Sequence, residues 1–162
     1  MKKYLSIILS IFMVVCCLMP YTALAADNSE DDIIISEAEF EKLQHTYAEY
    51  IETRTTGLIT NKKLGIAKNG SSLVISGFTT GTSSVVKCGF TKVTIQQRKS
   101  SSDSWSNYKS YNDLYSDSNA YTLGKTVSVT SGYQYRVTAT HYAKQSLFST
   151  QKIDASTTYL QF

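Results

Sequence analysis

From Val127 to Tyr142 the chain reads VSVTSGYQYRVTATHY, and past the turn pair Ser131-Gly132 its side chains alternate in character with a period of two. Tyr133, Tyr135, Val137, Ala139 and His141 fall on one face; Gln134, Arg136, Thr138, Thr140 and Tyr142 fall on the other. A mostly apolar face opposite a polar one is the pattern of an antiparallel strand with a core on one side and water on the other. A parallel sheet covered on both sides would show a continuous apolar run.

The segments around this strand read the same way. In LGIAKNGSSLVI, residues 64–75, a two-residue type I′ turn at Asn69-Gly70 would set Ile66 opposite Leu73 and Leu64 opposite Ile75, so that apolar residues meet. Residues 77–84, GFTTGTSS, read as a loop. From Thr91 to Arg98 alternation returns, with Val93 and Ile95 inward and Thr94, Gln96 and Arg98 outward. After a turn at 100–104, Trp105 opens a segment with Tyr108, Tyr111 and Tyr115; this spacing also fits a helical turn, and Asn112-Asp113 is a poor strand pair. Residues 120–130 predict a further strand, 144–146 a turn, and 147–153 with 157–162 a last strand broken near Asp154-Ala155. The total is about seven strands separated by turn signals.

Residues 1–25 have the form of a signal peptide: Lys2 and Lys3, an apolar stretch from Leu5 to Leu18, and Ala23-Leu24-Ala25 as the cleavage site. Cleavage after Ala25 would leave 162 − 25 = 137 residues, one domain's worth. The apolar stretch is shorter than the ~20 residues of a spanning helix, which argues against a stable membrane anchor. Val15 before Cys16, and Cys16 before Cys17, argue against lipidation. Only Cys88 would remain, so no internal disulfide is expected and the packed core must supply stability. Cys88 reads as a buried small hydrophobe, with an intermolecular disulfide as the alternative.

Charge is divided along the chain. Residues 26–52 hold nine acids and one Lys, 1 − 9 = −8; residues 53–162 hold thirteen bases and four acids, 13 − 4 = +9. Either the acidic segment folds back on the basic domain, or that domain meets an anionic partner. Outside a cell the partner would be a cell-wall polymer, a membrane surface or an acidic glycan rather than nucleic acid; charge kept for solubility is the plainer alternative. Residues 26–36 read as a disordered acidic segment. Ser36-Glu37-Ala38-Glu39 forms a capping box, and Phe40, Leu43, Tyr47, Tyr50 and Ile51 follow at helical spacing, which predicts an amphipathic helix over 37–52. Alone in water such a helix is marginal, so it needs a surface to cover. Residues 53–57, TRTTG, read as a linker, and 58–162 as the β domain.

The placement of Tyr135 six residues after Val129, across a Gly-containing turn, resembles the corner of immunoglobulin-like and fibronectin type III sandwiches, where a Tyr bonds back to upstream backbone. The expected fold is therefore an immunoglobulin-like antiparallel β-sandwich of about seven strands, preceded by one amphipathic helix. RTTGLI at 54–59, TIQQRKSSSDSW at 94–105 and GYQYRVTATHYA at 132–143, with the signal peptide, resemble a family of small secreted proteins of Gram-positive, often gut, bacteria, a domain of unknown function. That resemblance spans roughly residues 54–162 and implies no activity, cofactor or catalytic residue.

In such a sandwich the strands bearing Gln96 and Arg98, and Arg136, Thr138, Thr140 and Tyr142, would be neighbours, and their outward side chains would form one polar patch. Trp105, Tyr108, Tyr111 and Tyr115 would stand at its edge. Aromatic faces beside amide and guanidinium groups suit sugar rings; core or edge packing is the plainer role for Trp105. His141 reads as a buried neutral histidine bonded to backbone, and His45 has no second ligand nearby. There is no G-x-S-x-G elbow, zinc spacing, phosphate loop or acidic calcium loop, so no catalytic, cofactor or metal site is expected. The reading is an exported non-catalytic binding module for a glycan or cell-envelope polymer. A secreted toxin-like antagonist acting through its basic surface is one alternative, and a hydrolase with an unrecognised site is the other.

Overall fold

A computed structural model of the chain describes residues 32, 34–48 and 57–162. The expected signal peptide, most of the acidic segment, the linker before Gly57 and positions 49–52 of the expected helix lie outside the described residues. The rest is mostly β, in two antiparallel sheets. One helical turn, α1 (Glu37–Phe40), precedes nine strands: β1 (Gln44–Tyr47), β2 (Ile59–Asn69), β3 (Ser72–Gly81), β4 (Lys87–Arg98), β5 (Ser106–Ser116), β6 (Ala120–Ser128), β7 (Gln134–Ser146), β8 (Ser149–Ser156) and β9 (Leu160–Gln161).

The first sheet has the order β1-β2-β3-β6 and the second β5-β4-β7-β8, with β9 also pairing β7. The chain changes sheets after β3, after β5 and again after β6, so the strands interleave as in an immunoglobulin-like sandwich. Seven long strands, β2 to β8, carry this arrangement. Between the sheets lie Leu64, Ile66, Leu73, Ile75, Leu123 and Val127 from the first, and Phe90, Val93, Ile95, Tyr135, Val137, Ala139 and Leu160 from the second. Along β7 every second residue from Tyr135 to Ala143 is buried, as its alternation requires. The Tyr135 hydroxyl donates to the Thr130 carbonyl at 3.2 Å and accepts from the Thr130 amide at 3.1 Å, pinning the β6–β7 turn to the core.

Four local expectations are corrected. The β2–β3 turn sits one residue later, on Gly70-Ser71: Asn69 pairs with Ser72 and Ile66 with Ile75. Gly70 has φ +59° and Ser71 does not share the left-handed region, which matches a type II′ turn. Because each pairing moves by two residues, the inward set is unchanged. Residues 77–81 continue β3 instead of forming a loop, because Thr79 turns its hydroxyl into the interior. The turn expected at 144–146 lies at Leu147-Phe148, and the last strand breaks after Ser156, where the Thr157 hydroxyl accepts from Val137 N at 3.0 Å; Asp154 pairs normally with Thr140.

The fourth correction concerns the helix expected over 37–52. The capping box forms as read, with Ser36 and Glu39 bonding reciprocally, but the helix stops at Phe40 and residues 44–47 become an edge strand beside β2. Edge strand β2 offers a row of backbone donors and acceptors, and Thr and Tyr favour strands, so pairing outcompetes a marginal helix. The anticipated docking survives in this other form. Phe40 is fully buried against Ala67 and Val74 on the outside of the first sheet, with Ile35, Leu43 and Tyr47 around it. Gly65 leaves room for the Tyr47 ring: a Cβ there would come 2.6 Å from it. Glu37 and Glu41 pair with Lys63, and Asp32 with Lys125, so the acidic segment folds back on the basic domain.

Phe40→Ala should therefore cost about 3 kcal/mol, removing buried ring and leaving a cavity, and lower the melting temperature by roughly 10 °C. Thermal denaturation followed by circular dichroism checks this; an unchanged melt would mean that the segment does not belong to the folded unit.

Candidate functional site

The outside of the second sheet has no cover among the described residues. Strand pairing sets Lys92 beside Thr140, Thr94 beside Thr138 and Gln96 beside Arg136, all pointing away from the core. Short threonines flanked by longer side chains leave a trough. A groove of about 550 Å³ runs there, lined by Thr94, Thr138 and Thr140 with Lys92, Gln96, Asn107, Asp154 and Ser156. Its polar groups are held in place by one another. Gln96 accepts from Arg136 Nε at 2.9 Å and donates from Nε2 to Asn107 Oδ1 at 3.2 Å, while the Thr140 hydroxyl donates to Asp154 Oδ1 at 2.6 Å.

Aromatic rings close both ends. At one end the Trp105 ring lies under two guanidinium groups, with Arg98 Cζ 4.3 Å and Arg136 Cζ 4.4 Å from its centroid, and Tyr159 6.3 Å away. Arg98 is oriented by Gln134 Oε1 at 2.8 Å and the Ser101 carbonyl at 3.2 Å. Burial, and then the like charge of Arg98, hold the Arg136 guanidinium below its ordinary pKa. No carboxylate among the described residues pairs with either arginine. At the other end the Tyr115 and Tyr142 rings, from the strands on either side of β4, meet at 5.1 Å. They meet above Gly89, which pairs with both. Gly89 has φ +153°, and a Cβ there would overlap the Leu114 carbonyl. Burial and a hydrogen bond to Asp113 push the Tyr115 hydroxyl up to about 12. From Arg136 to Tyr142 is six residues of strand, roughly 20 Å.

Of the residues singled out in the sequence, Gln96, Arg98, Trp105, Arg136, Thr138 and Tyr142 are brought together on this face. Tyr108 and Tyr111 are not. Tyr108 packs edge-on to Tyr135 at 5.5 Å and donates to the Ser128 carbonyl, and Tyr111 packs against the central core, so both close the gap between the sheets. Lys92, Asn107, Asp154 and Tyr159 were missing from the sequence reading. Carrying the alternation of β4 back from Arg98 reaches Lys92; the other three depend on pairings that cross a bulge or a strand break.

The face is basic. It carries Lys87, Lys92, Arg98, Arg136, Lys144 and Lys152, against Asp154 in the groove, Asp113 on the Tyr115 hydroxyl and Asp117 at 3.7 Å from Lys87. On the first sheet, Lys63 and Lys125 are already matched by the acidic segment. No group of His, Cys, Asp and Glu among the described residues could hold a metal ion, and no described helix is long and apolar enough to cross a membrane.

His141 lies elsewhere, between the sheets and fully buried, with the Phe90 ring 4.6 Å away. The Thr79 hydroxyl donates to the Gly89 carbonyl, so it accepts from His141 Nδ1 at 2.7 Å; Nε2 has no partner among the described residues. The partner is a hydroxyl rather than backbone. Cys88 is buried beside it and donates to the Thr79 carbonyl at 3.2 Å. Burial raises the thiol pKa, and an intermolecular disulfide at Cys88 would require the sandwich to open. His45 bonds the Leu43 carbonyl at 2.8 Å and packs edge-on to Tyr47 and tilted against Phe40, within the segment covering the first sheet.

These features define a small all-β sandwich with one covered and one open sheet face, the open one polar, basic and flanked by aromatic rings. Comparison with protein-family models, with curated proteins and with solved structures finds no match to this chain.

Burial, helped by nearby Lys62, pushes His141 down to about 3 from 6.5. The unfolded chain therefore binds the extra proton first, and the stability from neutral His141 is complete above pH ~6.5 and lost as pH falls toward ~3. Between pH 7 and 5 the native chain should lose about 2 kcal/mol more than His141→Gln in urea denaturation. Parallel pH profiles would contradict this account of His141.

Proposed function

We propose that the protein is an exported, non-catalytic binding module, and that its ligand is an anionic, sugar-containing polymer of the cell envelope laid along the outside of the second sheet. One observation carries the reading: an open groove of hydroxyl and carboxamide groups lies between two sets of aromatic rings, on a face with six bases against three acids. Sugar rings present hydroxyl groups to side chains such as Gln96, Asn107, Thr138 and Asp154, and a C–H face to a ring such as Tyr142. The two guanidinium groups on Trp105 repel each other, and an anionic substituent placed between them would relieve that repulsion. The length of the face, roughly 20 Å, suits several residues of a chain better than one small molecule.

Binding to immobilised anionic wall polysaccharide tests this, with a neutral polysaccharide as reference. Retention should fall with rising salt and be competed by the soluble polymer. Thr138→Tyr, tolerated on an exposed strand face, should fill the groove and weaken binding roughly tenfold or more, about 1.4 kcal/mol, with an unchanged melt. Equal retention of Thr138→Tyr and the native chain, or no retention on either matrix, would remove the groove from consideration.

A further inference from the structure

The β7–β8 hairpin turns on two residues, with Ser146 paired to Ser149 and Leu147-Phe148 between them. Leu147 is 80% exposed and Phe148 99%, the most exposed large apolar residues described. The turn itself does not ask for them. Two-residue hairpin turns favour Gly, Asn or Asp because they usually need a left-handed φ, and Asp113 is the one described non-glycine residue with positive φ. Val86, also exposed, lies at the same end, its amide bonded to the Lys144 carbonyl at 2.8 Å. Behind this tip stand three lysines: Lys144 pairs across to Lys87, and Lys152 pairs with Tyr142. Of these, Lys87 has an acid near it, Asp117 at 3.7 Å.

We propose that the Leu147-Phe148 tip inserts into the interface of an anionic lipid bilayer, with Lys87, Lys144 and Lys152 against the headgroups. A convex tip cannot receive a ligand, but a fluid surface can close around it. The depths also agree. Two residues of strand separate Ser146 from Lys144, roughly 7 Å, and interfacial apolar groups sink about 5–10 Å into the headgroup boundary. The lysines then lie where anionic headgroups attract them. The insertion uses the three lysines at the tip end of the basic face and none of Gln96, Arg136 and Thr138, which line or flank the groove.

Cosedimentation of the full chain with vesicles tests the proposal, using phosphatidylcholine alone and phosphatidylcholine mixed with phosphatidylglycerol. Binding should favour the anionic vesicles and fall with salt, and Leu147→Ser with Phe148→Ser should weaken it roughly tenfold or more. Changing Lys144 and Lys152 to Gln should reduce the preference for phosphatidylglycerol by about fivefold per lysine. Thr138→Tyr should leave vesicle binding unchanged. A second readout locates the tip itself: in a Trp105→Phe background, Phe148→Trp should shift its emission to the blue and be quenched by brominated lipid chains. Emission unaltered by anionic vesicles would overturn the proposal. So would a dimer in sedimentation velocity that dissociates when Leu147 and Phe148 become Ser, since the tip would then serve a second copy of the chain.

Discussion

The Phe40 ring, seated over Ala67 and Val74, makes the two outer faces of the sandwich unlike each other. Both of those residues point away from the central core and would otherwise face water. Covering them draws the acidic segment across the first sheet, where Glu37, Glu41 and Asp32 meet Lys63 and Lys125. Apolar burial supplies most of the holding energy, because partly exposed ion pairs contribute at most about 1 kcal/mol each. The pairs fix where the segment lies and remove positive charge from that side. β1 then reaches the far edge, with Ala48 bridging to Thr157 of the second sheet.

The second sheet has no such cover, and the consequences follow from alternation. Inward positions of β4 and β7 fill the core with Val93, Ile95, Val137 and Ala139; outward positions, one residue away, become Thr94, Gln96, Thr138 and Arg136. Where a long side chain would stand in the middle of the sheet, Gly89 leaves space, and Tyr115 and Tyr142 close over it. Stability on this side comes from beneath. Tyr135 ties the turn before β7 to Thr130, and His141 with Thr79 and Cys88 fills the other end of the same strand with satisfied polar groups, apart from one nitrogen. The polar groove residues thus take no part in the central core, which reaches the groove floor at Ala139 and Ala155.

What was legible in the sequence was what local alternation controls. The inward set of β7 follows from side chains two residues apart, whereas the pairing of β4 with β7 and the return of Tyr135 to upstream backbone are what the resemblance to immunoglobulin-like sandwiches implies. The β2–β3 register slipped by two because Asn-Gly suggests a turn centred on both residues, whereas Gly70 alone takes the left-handed conformation; the faces survived because two is the period of the strand. Residues 37–48 misled because Phe40, Leu43 and Tyr47 have helical spacing, and only the distant edge of β2 decides that Gln44–Tyr47 should extend. The same reason hid half of the site. Tyr108 shares a segment with Trp105 but packs against Tyr135 on the inward side of the same sheet, while Tyr159 reaches Trp105 only because the chain returns along β9. No local pattern encodes those neighbours.

That the acidic segment clothes one sheet and leaves the basic face of the other open is tested most directly by lysine reactivity. Brief acetylation of the native full chain, read by mass spectrometry, should modify Lys92, Lys144 and Lys152 quickly. Lys63, whose side chain is 16% exposed beneath Glu37 and Glu41, should react slowly. Modification of Lys63 as fast as Lys152 would contradict the account, because it would leave the first sheet as bare as the second.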